Sequence, residues 1–233
     1  MCDGPTQPGF RLCFCCSTLV GQLRMPLAPV AAITPYRVGD RMHRLLRGYK
    51  DAASFDARSA SAARLATMVD RWLDEHRGKL LARTLGPWDL AVGVPSSHRP
   101  VGTPVDILLK AVPDLARIHR QLLVRGTAST DHLVAARSGF TVRRDGGAGP
   151  ETRGMRALVV DDTFTTGARA QSAAVALRMA GVRVAGVLVV GRAVAPEAAP
   201  WQAAFWDSTA GVRQAARAAL TAGHRRPSVG LRT

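Results

Sequence analysis

Lysine is nearly missing from this chain. Only Lys50, Lys79 and Lys110 occur among 32 basic residues, and the rest are arginine. Acidic residues are few as well, 17 in 233, which leaves a formal net charge of +15. A charge of this sign admits a nucleic-acid partner. The scarcity of lysine beside abundant Ala, Gly and Pro equally reads as the bias of a GC-rich genome, and the two accounts stay open. Long apolar runs are lacking too: segments such as 185–190 are far too short to span a bilayer, so no membrane insertion is expected. The start, Met1-Cys2-Asp3-Gly4-Pro5, has neither a charged n-region nor an apolar h-region. No signal peptide is read there, and a cytoplasmic location is expected. Hydrophobic content of 47% excludes wholesale disorder. The length suits one compact α/β domain with appendages, or at most two small domains.

No cysteine follows position 16; all four, Cys2, Cys13, Cys15 and Cys16, sit in the first sixteen residues. That excludes a disulfide framework distributed over the fold, and a cytosolic chain would not be expected to carry one. Cys13 and Cys16 form a single C-x-x-C pair, whereas a tetrahedral zinc site normally takes two such pairs or added histidines. Cys2 and Cys15 could complete a set, although ligands adjacent in sequence at 15 and 16 fit awkwardly. Zn²⁺ at Cys13 and Cys16 and a degenerate remnant of such a site are the two alternatives, with the remnant favoured.

Composition divides the chain into a Cys-, Pro- and Gly-rich cap at 1–26, a main domain at 27–195 and a basic extension at 196–233. The prolines in 28–35 point to an edge strand. Helical periodicity follows at 38–49 and 57–75, with Leu65, Met68, Val69 and Trp72 on one face. A buried strand is expected at 89–94, a helix at 105–112, a strand at 121–124, a short helix at 129–136 and a strand at 140–142. Segment 144–154 has no periodicity and predicts a mobile loop. A final helix is expected at 212–221. Trp72, Trp88, Trp201 and Trp206 are read as core or interface residues.

The clearest unit begins at Ala157. Ala157-Leu158-Val159-Val160 is continuously apolar, as befits a strand covered on both faces of a parallel sheet. Thr166 is placed to cap a helix carrying Ala170, Ala173, Ala174, Leu177 and Ala180 and stopping at Gly181. A second buried strand follows at 182–190. Strand, helix and strand of these lengths make a right-handed crossover, so the fold class is α/β with a mainly parallel sheet flanked by helices.

Ligands of such sheets bind outside the carboxyl ends of the strands, in the turn that follows Val160. Asp161 and Asp162 fall there, followed by Thr163-Phe164-Thr165-Thr166-Gly167. Free N–H groups of a helix start, threonine hydroxyls and a glycine that lets backbone approach closely together suit a phosphate. Two carboxylates beside it can accept hydrogen bonds from neighbouring hydroxyls, as on a ribose ring. Each feature alone would be ordinary, a solvated Asp pair or a simple cap; the complete run is far more specific.

The run Val159-Val160-Asp161-Asp162-Thr163-Phe164-Thr165-Thr166-Gly167-Ala168 resembles the signature of the type I phosphoribosyltransferases. The resemblance implies that fold and a site for 5-phosphoribosyl-1-diphosphate (PRPP). Asp161 and Asp162 would take the ribose hydroxyls and Thr163 to Gly167 the 5-phosphate. A looser likeness points to the ComF-like branch. It runs through Cys13-x-x-Cys16, Leu46-Arg47-Gly48-Tyr49-Lys50, Val92-Gly93-Val94-Pro95-Ser96, Leu123-Val124-Arg125, Thr130, Leu133, Arg137 and Phe140. That branch implies a cysteine-rich zinc element and, as a second function class, a non-catalytic PRPP- or nucleotide-binding accessory of DNA uptake. A homodimer is also consistent with the resemblance.

On the enzymatic reading, phosphoribosyl transfer to an unknown acceptor releases diphosphate, with Mg²⁺ carried on the PRPP oxygens. Gly93, Ser96, Ser97 and Arg99 would form the diphosphate loop, although the Arg-Gly-Phe-Asn stretch usual there is replaced by His98-Arg99-Pro100-Val101. An ordinary strand-to-helix turn is the alternative for that loop. Arg125 and Arg137 are assigned to a closing lid that neutralises the leaving group. His98 is the one histidine expected near the site. Where purine-salvage relatives often carry an aspartate for the base, this chain has Thr165, which cannot accept a proton, so purine salvage is disfavoured.

Overall fold

The computed structural model describes residues 2–83, 87–96, 103–143 and 150–221. Ser97, His98, Arg99, most of the loop expected at 144–154 and the end of the basic extension lie outside them. The chain opens with helix α1 (Phe14–Leu23), inside the segment expected to be irregular, and enters strand β1 (Val30–Tyr36). Helices α2 (Arg41–Asp51) and α3 (Phe55–Arg83) follow, then β2 (Leu90–Gly93), α4 (Pro104–Ala111) and α5 (Pro113–Ile118). Strands β3 (Leu123–Arg125) and β4 (Phe140–Val142) pair as a small antiparallel ribbon. Strand β5 (Arg156–Phe164), helix α6 (Ala168–Met179) and strand β6 (Arg183–Ala193) form the crossover unit, and α7 (Pro200–Ser208) and α8 (Ala210–Thr221) complete the described chain.

The central sheet has the order β1-β6-β5-β2 and every pairing is parallel. The fold is thus α/β with a parallel sheet flanked by helices, and β1 is the edge strand its prolines predicted. Residues 157–160 are at most 1% exposed, because each face of β5 carries its own core. Leu158 and Val160 pack with α2, α3, α4 and α8, while Ala157 and Val159 pack against α6 and the N-terminal segment. Each such Leu or Val side chain stabilises the fold by roughly 1.5–3 kcal/mol on burial.

Two glycine positions decide how the helices meet the sheet. At Gly191 of β6 a Cβ would sit 2.8 Å from Leu46 Cδ1 and from the Tyr36 ring, so only glycine lets α2 lie this close. That approach carries Tyr49 and Lys50, in the last turn of α2, to the carboxyl edge of the sheet. At the other end of α6, Gly181 is left-handed (φ 86°) and the N–H groups of Gly181 and Val182 return to the carbonyls of Arg178 and Leu177, a Schellman closure.

The predicted short helix at 129–136 does not form. Asp131 and Val134 exchange backbone hydrogen bonds in a tight turn with Leu133 at φ 57°, a conformation that breaks helical continuation. The segment is instead tied sideways. The Gln22 amide donates to the Leu133 carbonyl and accepts from Ala135 N–H, both at 2.8 Å, and Ala136 N–H donates to Ser172 Oγ at 3.1 Å.

Candidate functional site

Asp161 and Asp162 do not lie in the turn after the strand. They belong to β5 itself, which runs on to Phe164 because β6 accompanies it through the pairs Asp161 with Val189 and Thr163 with Gly191. Successive strand side chains point to opposite faces. Asp162 therefore continues the Val160 face, toward α2, and Asp161 the Val159 face, toward α6. Both reach a cleft of ≈ 470 Å³ at the carboxyl edge, lined also by Lys50, Thr103 and residues 165–170.

Asp162 is 4% exposed and densely partnered. Lys50 Nζ lies 2.6 Å from its Oδ1, the Thr163 hydroxyl donates to the same oxygen at 2.7 Å, and the Tyr49 hydroxyl donates to Oδ2 at 2.8 Å. Lys50 also donates to Thr163 Oγ1 at 3.1 Å, which closes a triangle of Lys, Thr and Asp. Burial first, then the Asp162 charge, holds the Tyr49 phenol well above its usual range, so it stays a donor.

Asp161 has a different setting. Its Oδ1 accepts Asp162 N–H at 3.0 Å, and burial together with the Asp162 charge raises its carboxyl to about 7 against the opposing pull of Arg169 and Lys50. Arg169, in the first turn of α6, also donates to the Pro95 carbonyl and so links the helix to the loop after β2. A buried carboxyl titrating near neutrality in a cleft has the character of a ligand-binding or catalytic group.

The cradle itself starts at the end of β5. The helix cap is Gly167 (φ 84°), not Thr166, and a Cβ there would collide with the Phe164 ring. Thr166 sits one residue earlier; its Oγ1 accepts from Ala168 N–H and from Leu133 N–H, both at 3.4 Å. Thr163, Thr165, Thr166, Gly167 and Ala168 all line the cleft, with the α6 N-terminus aimed into it. Phe164 is buried and takes a packing position beneath the turn.

The other expected residues divide. Ser96 lines the cleft, whereas Gly93 serves packing: a Cβ there would stand 3.1 Å from Val105 and 3.2 Å from Asp106. Asp106 in turn is fixed by His119 Nε2 at 3.0 Å and by the Thr103 hydroxyl at 2.8 Å. Arg125 lies outside the cleft lining, bonded to Thr130 Oγ1 at 2.7 Å with its guanidinium 5.1 Å from the Phe140 ring centroid. Arg137 is exposed and likewise outside the lining. His132 lines the cleft, a histidine that proximity in sequence does not suggest. Lys50, Tyr49 and Arg169 are the other residues that sequence reasoning misses. The Leu46-Arg47-Gly48-Tyr49-Lys50 stretch is the available signal for the first two, and the position directly after the motif for the third.

The N-terminal thiols do come together. The Sγ atoms of Cys2, Cys13 and Cys16 lie within 4.8 Å of one another, with Cys2 and Cys13 3.6 Å apart. A tetrahedral centre with ~2.3 Å metal–sulfur bonds sets its sulfurs about 3.8 Å apart, so these three thiols are close enough to supply three of the four ligands of a zinc ion. Cys15 contacts the same group: a hydrogen bond with Cys13, then burial, pushes its thiol up.

Neither the scan against protein-family models nor the search of curated proteins finds a match. Among solved structures, the chain is similar to adenine phosphoribosyltransferase from Leishmania tarentolae at 13% identity and a TM-score of 0.34, covering 70% of this chain and 91% of that one. It is also similar to adenine phosphoribosyltransferase from Leishmania donovani at 19% identity and a TM-score of 0.33, covering 62% of this chain and 61% of that enzyme's length.

Proposed function

We propose that the cleft binds the ribose-5-phosphate part of PRPP and that the protein transfers the phosphoribosyl group to an acceptor, releasing diphosphate. The observation that carries this reading is the juxtaposition of a buried carboxylate, Asp161, with the threonine-rich turn and helix start at 163–168. The 5-phosphate would take backbone N–H groups of that turn and the Thr165 hydroxyl, aided by the α6 dipole. Asp161 would accept a ribose hydroxyl, and its ionised form would stabilise positive charge developing on the ribose ring. Lys50 keeps the neighbouring Asp162 neutralised while leaving its own ammonium at the cleft. Mg²⁺ would arrive on the diphosphate oxygens as part of the substrate complex, since magnesium is held by few protein groups beside phosphates. Thr165 argues against a purine acceptor.

Calorimetric titration of PRPP with Mg²⁺ tests the reading. The wild type is expected to bind, and an Asp161→Asn/Asp162→Asn double variant with native circular dichroism is expected to lose binding. Failure of the folded wild type to bind overturns the site assignment.

A second reading, binding without transfer in a ComF-like accessory role, is favoured by the lid arginines: Arg125 is engaged with Thr130, and Arg137 is exposed. PRPP binding with no diphosphate release for any acceptor, together with salt-sensitive retention on single-stranded DNA, would support it. Zinc at the thiol cluster belongs to the same proposal, supported by the sulfur spacing above.

A further inference from the structure

The cysteine cluster and the phosphate cradle are distant in sequence, yet one buried cation joins them. Arg192, near the end of β6, is 5% exposed and donates from Nη2 to the backbone carbonyl of Cys2. A side chain on Gly4 would collide with its guanidinium, so the first residues of the chain are laid directly against Arg192. The Cζ of that guanidinium also lies over the Phe164 ring, 4.6 Å from its centroid. Phe164 is paired in register with Arg192, and its ring fills the space where a Gly167 side chain would project. The order of contact is therefore thiol cluster, Cys2 carbonyl, Arg192, Phe164 and Gly167, the left-handed residue that aims the α6 N-terminus into the cleft.

We infer that Arg192 is a positioning residue through which occupation of the Cys2/Cys13/Cys16 cluster by a thiophilic divalent cation sets the geometry of the phosphate cradle. Three chemical facts support the link. Thiolates bound to such a cation carry net negative charge, which favours a guanidinium held against the same segment. A cation on Cys2 and Cys13 closes the loop between them, fixing the Cys2 carbonyl that orients Arg192. A guanidinium stacked on a ring in a buried site is directional, so tilting it tilts Phe164 and presses on a residue with no side chain to absorb the change. Binding displaces the thiol protons to solvent and needs no redox partner.

The experiment compares zinc-loaded and chelator-stripped full-length protein by amide hydrogen exchange, followed in peptides covering 164–171 and 2–23. Loading is expected to slow exchange about ten-fold at 164–171 in the wild type, within the usual range of a coupling between two sites. In Arg192→Gln and in Phe164→Leu, zinc should still bind with unchanged stoichiometry and protect 2–23, while the response at 164–171 disappears. Arg192→Lys, which keeps a donor but loses the planar face, should respond only partly. Equal exchange at 164–171 in loaded and stripped wild type overturns the inference, as does a response that persists in Arg192→Gln. So does a wild type that takes up no zinc. These readouts need no phosphate ligand, so they stand apart from the PRPP reading. The reciprocal measurement does rest on that reading: with PRPP saturating, zinc affinity by chelator competition should rise by the same factor by which zinc raises PRPP affinity.

Discussion

The two faces of β5 treat adjacent carboxylates in opposite ways. On the α2 face, Asp162 meets a lysine, a threonine hydroxyl and a phenol, and its charge is balanced inside the fold. On the α6 face, Asp161 is buried as well, and burial together with the charge of its neighbour raises its carboxyl to about 7 against the pull of Arg169 and Lys50. One aspartate is a structural anchor for α2, and the other is held where burial disfavours its charged form. A strand achieves this because consecutive side chains separate by the thickness of the sheet while their backbones stay one peptide apart.

Breaking the anchored side should have the largest effect. Lys50→Met leaves the Asp162 side chain, itself 6% exposed, without its cation. Loss of a partner from a buried pair costs about 3 kcal/mol here, at the low end of its range because Lys50 keeps some solvent contact. Urea denaturation of Lys50→Met should show that loss, and adding Asp162→Asn should restore most of it; a Lys50→Met protein as stable as wild type would erase the distinction between the faces.

Changing the strained side should move stability the other way. The folded-state value of Asp161 lies above that of an unfolded aspartate, so its protonated form favours folding; that contribution is complete at low pH and is lost as pH rises through about 7. Asp161→Asn removes the loss. Its advantage over wild type should be larger at about pH 8 than at about pH 4, by on the order of 2 kcal/mol, read as melting temperature in the two buffers. The same variant should lose PRPP binding, so stability and function trade against each other at this one position.

The smallest effect sharpens the contrast. Tyr49→Phe deletes one of the hydrogen bonds to Asp162 and keeps the ring in the core, a loss of about 1.5 kcal/mol, the low end for a bond to a charged acceptor. Because Lys50 and Thr163 still hold the other oxygen, PRPP affinity should change little, which calorimetry of the variant checks.

Much of this architecture is legible in order along the chain. The apolar run at 157–160, the Asp-Asp-Thr-x-Thr-Thr-Gly stretch and Gly181 each encode local backbone requirements: burial on both faces, a helix start with free N–H groups, a left-handed stop. The β5–α6–β6 unit is therefore readable from its residues alone. The segment at 129–136 departs from its helical pattern because its turn is held by Gln22 and Ser172, which lie more than thirty residues away in either direction. Helix α1 is not legible because cysteine and glycine obscure its pattern.

The sequence by itself determined the parallel α/β sheet, the edge position of β1 and the strand–turn–helix passage from β5 into α6, since these follow from side-chain periodicity and the conformational limits of Gly and Pro. Only the tertiary structure decided that Lys50 and Tyr49 belong to Asp162, that Arg169 stands by Asp161, that Arg125 and Arg137 lie outside the cleft lining, and that three thiols converge beside Arg192. Those outcomes depend on how closely α2 approaches β6 and where the first residues of the chain are laid down. They are contacts between elements far apart in sequence, and no local pattern carries the distance between them.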